Sequence, residues 1–350
     1  MTLPTRMPRP RASRALPALA AALGLLALST GCGTERAAPA DARPASPEGR
    51  TLHATRIAHV TDAHQATGMT LLEGPVLNRA GDLYVVDVTA PPGAPKLLSV
   101  DVETGAHKGV YTDRTSAFTS AQISPRDGRV YLTDYGSGRI VSLAQDGSDP
   151  RVFFSGEVDG SVMNPDDIVF DDDGNLYISD LQGMRTGEAE GRVVRIDRDG
   201  RGSSVLADGL AHPNGVMFDP GLRGLWISEL ATDTVSYLLL DADRTTVKSR
   251  HEAIHVDGGL AQTDSIGVDA EGNLYQALHG RPAMAVFSEY GARLGTVEIP
   301  AKEAKGLESA TNVAIAPGGR KAYMTVSGPS GGYVYAFTPL AKGIRLSNGG

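Results

Sequence analysis

Six oxygen-bearing residues recur in this 350-residue chain at one fixed place relative to an aromatic. Counting back 11 residues from Tyr84, Tyr131, Tyr177, Tyr275 and Tyr323 reaches Glu73, Ser120, Asp166, Asp264 and Asn312. The same count from Trp226 takes 12, through the extra residue in Pro220-Gly221-Leu222-Arg223, and reaches Asn214. None of the six is apolar. Three carboxylates brought to one axis repel strongly unless a cation sits among them. Carboxylate and amide oxygens without His or Cys favour a hard ion, Ca²⁺ ahead of Mg²⁺. Asp, Asn and Ser also start strands by turning onto their own backbone; that explains each residue singly, but not the set.

The elements that would position these residues repeat with them. The aromatics stand 47, 46, 49, 49 and 48 residues apart, each inside a phrase such as Gly81-Asp82-Leu83-Tyr84 or Gly174-Asn175-Leu176-Tyr177. A short apolar run precedes each phrase, as in Ile168-Val169-Phe170, and turns such as Arg126-Asp127-Gly128 separate the alternating segments. Asp-Gly between alternating runs marks a hairpin. Four strands per period, six times over, predict an all-β fold: a six-bladed β-propeller with four antiparallel strands per blade around a central channel. A linear β-solenoid has much shorter rungs. In a propeller the start of each innermost strand faces the channel, which is where the six counted residues fall. A strand near 55–60 is expected to complete the last blade beside Tyr333-Val334-Tyr335-Ala336-Phe337 and so hide the open edges.

The ends are different in kind. Arg6, Arg9, Arg11 and Arg14 precede an apolar run from Ala15 to Leu28, too short for a permanent span and suited to an export signal over residues 1–31. Leu28-Ser29-Thr30-Gly31-Cys32 is similar to a bacterial lipobox, with its Leu one position farther from the Cys than usual. Cys32, the only cysteine, is then the lipidated first residue of an extracytoplasmic, membrane-anchored protein; the alternative is plain secretion with a free thiol. Residues 32–50 have the composition of a tether and 51–350 hold the propeller. Without residues 1–31, which carry four Arg and no acids, the formal charge moves from −8 to about −12, which argues against nucleic acid as a partner and leaves lipid anchoring as the contact with membrane.

Glu73-Gly74-Pro75, Pro165-Asp166-Asp167, Pro213-Asn214-Gly215-Val216 and Thr263-Asp264-Ser265 each head a blade. Together they resemble the signature of the senescence marker protein/gluconolactonase/luciferin-regenerating enzyme family. Over roughly residues 65–345 the resemblance is to its drug-responsive bacterial lactonases, which carry Asp where Asp166 stands and many other members carry Asn. The resemblance implies a catalytic Ca²⁺ held by Glu73, Asp166, Asn214, Asp264 and Ser265, with the residue matching Asp264 as proton donor. It also implies a second, structural Ca²⁺ on the loop before Asp166, where Asp159 and Ser161 would serve with backbone carbonyls, although the acid is shifted by one position.

The chemistry expected is hydrolysis of a lactone or related ester at a metal-polarised carbonyl, with Asp264 or Asp166 moving the proton and the two roles not apportioned. Ser120, Asn312 and His279 are candidate substrate contacts, with a solvated loop histidine as the plainer reading of His279; His212 is a weaker candidate. Two other functions fit the same pattern: an organophosphate or aryl-ester hydrolase on the same metal, and a non-catalytic propeller that binds a peptide, glycan or protein. The pocket walls are expected from loops such as 89–96, 182–190 and 262–263. Gly328-Pro329-Ser330-Gly331-Gly332 fits a serine-hydrolase pattern but lies between two strands, where no nucleophile elbow forms. The run Asp171-Asp172-Asp173-Gly174-Asn175 lacks the closing Glu of a Ca²⁺ loop and reads as a hairpin turn with solvated acids.

Overall fold

The computed structural model describes residues 49–348. The export signal, Cys32 and most of the tether lie outside the described residues. Five four-stranded antiparallel units follow in sequence, over residues 72–112, 118–154, 165–210, 213–255 and 262–298, and a sixth has three strands over 309–337 and takes its fourth, Thr55–Thr61, from the N-terminal side. In each, the first strand is the innermost: Leu72–Leu77, Phe118–Ile123, Pro165–Phe170, Pro213–Phe218, Gln262–Val268 and Ser309–Ile315. Each of these strands touches the next, and the last touches the first, so the ring is closed. The two described helices are short 3₁₀ turns, Ala301–Glu303 and Arg345–Asn348.

Burial explains why the strands sort this way. Pro165–Phe170 and Pro213–Phe218 are buried along their whole length, because both faces meet neighbouring blades. The outermost strand Val247–His255 is largely exposed and carries Lys248, Arg250, His251 and Glu252. The repeated aromatic fills the wedge between blades: Tyr131 meets Phe170 edge-on at 5.1 Å, and Tyr177 meets Phe218 at 4.8 Å, contacts worth about 0.5–1.5 kcal/mol each beyond area burial. Their hydroxyls donate to acids of the preceding hairpin turn, Asp127 at 3.0 Å and Asp171 at 3.2 Å.

Asp171 also accepts from Asn175 at 2.8 Å, while Arg244 pairs with Asp172 at 2.7 Å and Asp173 at 3.1 Å. The acidic run is thus a hairpin turn, and the Arg244 guanidinium offsets part of its charge. The Gly328-to-Gly332 segment joins the strands Ala322–Gly328 and Gly331–Phe337.

The last blade closes as expected, with Thr55–Thr61 antiparallel to Gly331–Phe337 as its outermost strand. One boundary differs. Arg50, assigned above to the tether, opens the strand Arg50–His53, which runs parallel to Arg293–Glu298 and adds a fifth strand to the fifth blade. Its burial pattern leaves only Leu52 inside, too weak an apolar signal to distinguish it from tether.

Candidate metal centre and its cavity

Every innermost strand carries a bulge at its channel end. The pairing slips between Glu73 and Val76, Phe118 and Ser120, Pro165 and Ile168, Pro213 and Val216, Thr263 and Ile266, and Ala310 and Val313. A bulge sets two residues opposite one and re-aims a side chain. Here it frees the counted residues from the up-down alternation of a regular strand.

Hydroxyls on the second strands lock this geometry. Ser228 accepts from the Gly215 N–H at 2.6 Å and donates to the Asp264 carbonyl at 2.6 Å, joining the fourth blade to the fifth. Ser179 accepts from the Asp167 N–H at 2.9 Å and donates to the Asn214 carbonyl, and Thr133 donates to the Asp166 carbonyl at 2.7 Å. Gly74 has φ +51°, and a Cβ there would lie 2.4 Å from the Ala121 amide nitrogen, so the Glu73 bulge is built on a glycine that lets the first two blades meet.

Glu73, Asp166, Asn214 and Asp264 converge at the floor of a cavity of about 300 Å³. All four are buried. Burial first, then the charges of Asp264, Asp166 and Asp167, hold the Glu73 carboxyl well above the usual carboxylate range. Asp166 is raised by burial and by Asp167 and Asp264. Asp264 is raised by burial but held back by the hydrogen bond and charge of His279. Glu73 Oε2 is buried without a hydrogen-bond partner, and an orphaned buried acceptor is rare. Three crowded carboxylates, an amide oxygen and an unsatisfied acceptor make a hard-oxygen donor set that fits Ca²⁺.

Ser265 stands behind this floor. Its hydroxyl donates to Asn214 Oδ1 at 3.3 Å and also serves Asp167, so it orients Asn214 and does not line the cavity. Ser120 and Asn312 do not line it either. Both face Asp167, Asn312 donating to its Oδ1 at 3.1 Å. Burial pushes Asp167 up to about 7, against the hydrogen bonds from Ser265, Ser120 and Asn312. Asp167 is a ring residue that the count from the aromatics misses, since it sits one place beyond Asp166; the doubled acid was its signal.

The walls come from the channel ends of the second strands of five blades: Val88, Tyr135, Leu181 and Leu230 just past them, His279 as the last residue of Leu274–His279, and Met184 on the connection after Leu181. Gln262 contributes as expected, and the loop over 89–96 does not. His279 Nδ1 lies 3.6 Å from Asp264 Oδ2 and 3.4 Å from the Ser309 hydroxyl, with its side chain half exposed. That bond to Asp264 raises its pKa. His212 is buried and does not line the cavity.

One position before each of four wall residues stands a buried acid: Asp87, Asp134, Asp180 and Glu229. Three of them accept the N–H just ahead of their blade's ring strand, from Ala117, Asn164 and Ala211. The phrases ending Val86-Asp87, Thr133-Asp134, Ser179-Asp180 and Ser228-Glu229 showed this repeat in the sequence.

The second metal site is not assembled. Asp159 and Ser161 are exposed, on a tight hairpin of Glu157–Val158 with Ser161–Val162 whose turn residues Asp159 and Gly160 have φ of 54° and 78°. Two backbone carbonyls of this hairpin, those of Val158 and Ser161, accept from Arg192 at 2.7 and 3.4 Å.

Residues 71–328 match the family described as SMP-30/Gluconolactonase/LRE-like region. The chain belongs to this family. A curated relative, the lactonase drp35 of Staphylococcus haemolyticus, is 26% identical over 288 residues, covering 78% of this chain and 84% of the relative. Among solved structures, a gluconolactonase of Xanthomonas campestris superposes with a TM-score of 0.64 at 20% identity, covering 83% of this chain and 98% of that one. A calcium-binding regucalcin of Agrobacterium tumefaciens gives 0.66 at 14% identity, covering 84% and 98%. At those identities the two structures establish the family fold.

Proposed function

We propose that the protein is a Ca²⁺-dependent hydrolase that opens lactone rings at the floor of this cavity. The observation that carries the reading is the convergence of Glu73, Asp166, Asn214 and Asp264 on one buried point with a Glu73 oxygen left unpartnered. Membership of a family with a lactonase relative supports the reaction class. Those four residues would hold the ion, which when bound supplies Lewis-acid polarisation of the ester carbonyl. Asp264 rather than Asp166 handles the proton, because only Asp264 faces His279 and through it the cavity mouth. The hydroxyl collar of Ser179, Ser228 and Thr133 keeps the floor from relaxing as charge moves.

The walls suggest which lactones enter. Leu71, Val88, Leu181, Met184 and Leu230 offer no hydrogen bonds, and no Lys or Arg is among the described lining residues. A neutral lactone with an apolar substituent suits such a wall; a polyhydroxylated ring would find only Thr119, Tyr135, Gln262 and His279 as side-chain partners above the floor. Each buried methylene contributes about 0.8 kcal/mol, so kcat/KM should rise about fourfold per added methylene until the cavity is full. A rate that falls with chain length and favours sugar lactones would contradict the assignment.

Export and lipidation at Cys32 form part of the proposal, supported by the Arg-led apolar run and the lipobox-like Leu28-to-Cys32 segment. Labelled palmitate should enter the protein in cells and be absent from Cys32→Ser, which should appear in the soluble fraction.

A further inference from the structure

The hairpin that fails to form a second metal site is held by an arginine. Arg192 opens the third strand of the third blade, Gly191–Ile196, and is buried. Its Nε donates to Asp180 Oδ2 at 2.8 Å and its Nη2 lies 2.6 Å from the same oxygen. The far side of the guanidinium reaches the Val158 and Ser161 carbonyls. Asp180 is fully buried, and its other oxygen accepts from the Asn164 N–H at 2.6 Å and Gln182 Nε2 at 3.1 Å. Gln182 Nε2 also donates to the Val162 carbonyl at 2.7 Å.

One buried carboxylate and several inward carbonyls are the donors a divalent ion uses to tie a loop to a blade. Here every one of them is already engaged by a positive or N–H group. Arg139 and Arg250 pair with the equivalent acids Asp134 and Glu229; Arg192 differs in also reaching two carbonyls of the hairpin. A guanidinium presents several donors in a fixed plane and stays charged. A dication brought beside it would meet its full positive charge at low dielectric.

We infer that Arg192 is a built-in cation that replaces the structural Ca²⁺ of this loop, so that the chain takes up Ca²⁺ at the channel floor alone. The tie matters to the floor because Asn164, bonded to Asp180, leads directly into Pro165 and Asp166, and the Leu181 N–H that opens the cavity wall donates to the Asn164 carbonyl at 2.9 Å. The approach to a floor ligand is therefore held in place whatever the calcium concentration.

Calcium bound per chain, measured by equilibrium dialysis after chelator treatment, tests this apart from the floor site. The Glu73→Gln/Asp264→Asn double variant, with its floor disabled, should bind no Ca²⁺; one ion per chain retained there would overturn the inference. Adding Arg192→Ala to that background should create one weak site, filled at millimolar Ca²⁺ and raising Tm on filling. A folded triple variant, by circular dichroism, that gains no site would equally overturn it. Arg192→Lys in the same background keeps the charge and should stay free of Ca²⁺. Absence of Ca²⁺ from the wild type would remove the floor site proposed above and leave this inference to be judged on the variants.

Discussion

Glu73 and Asp264 are acids buried beside a third, Asp166, and this makes their effects on stability and on activity opposite in sign. Glu73→Gln or Asp264→Asn should cost about 10²–10⁴ in kcat/KM. The same changes should raise the Tm of chelator-treated protein, because each removes one acid whose ionisation burial opposes, and at Glu73 neighbouring charges oppose it too, and should abolish the further rise on adding Ca²⁺. The pH dependence follows the same logic. Asp167 is raised from 3.8 to about 7, and a group raised on folding contributes stability that is present below its unfolded value and lost as pH rises through the folded one. Chelator-treated protein should therefore melt higher at pH 5 than at pH 8, and Ca²⁺ should flatten that difference. A Tm unaffected by pH over this window would contradict the crowding of the floor. At this scale the sequence was informative about which residues meet at the floor, since Glu73, Asp166, Asn214 and Asp264 were reached by counting alone. It was uninformative about depth: Ser120 and Asn312 share the register of those four and Ser265 sits one place beyond it, yet all three face Asp167 or Asn214 instead of the cavity.

The bulged innermost strand is the element that converts register into a site. Ser228→Ala removes the partner of both the Gly215 N–H and the Asp264 carbonyl. Two buried groups left unsatisfied cost about 1–3 kcal/mol each, and kcat should fall with Tm since Asp264 is no longer held. A Ser228→Thr variant, keeping the hydroxyl, should recover most of kcat. Gly74→Ala forces a Cβ against the backbone of the second blade at a φ suited to glycine, and should lower both Tm and Ca²⁺ affinity, measured by titration calorimetry. The hairpin before Asp166 shows where element-level reading stops. Its turn was legible in Asp159-Gly160, but what its carbonyls bind depends on Arg192, more than 30 residues away in sequence and adjacent only once the third blade folds.

At the scale of the whole molecule, the repeat decided the architecture before any side chain was placed, because a period near 48 residues with four strands cannot bury its faces except against its own copies. The N-terminal closure was legible for the same reason: the last unit has three strands of its own, and Thr55–Thr61 supplies the fourth. Removing residues up to 62 should uncover the Gly331–Phe337 edge of the last blade and lower Tm by more than about 10 °C. Truncation should therefore stop before Gly49, so that Arg50–His53 keeps its pairing with Arg293–Glu298. The shape of the cavity was not legible, because its walls come from five different blades and depend on how far each connection rises above the ring.

The most direct test is hydrolysis of a panel of alkyl, aryl and sugar lactones, with a phosphotriester alongside, by the protein from residue 47 onward. It should be assayed as purified, after EDTA, after Ca²⁺ add-back, and as Asp264→Asn. The account predicts activity on apolar lactones that vanishes with EDTA, returns with Ca²⁺ and is absent from the variant. Turnover of lactones that is indifferent to chelator or survives Asp264→Asn, or a folded, Ca²⁺-loaded protein inactive on every lactone, would contradict it.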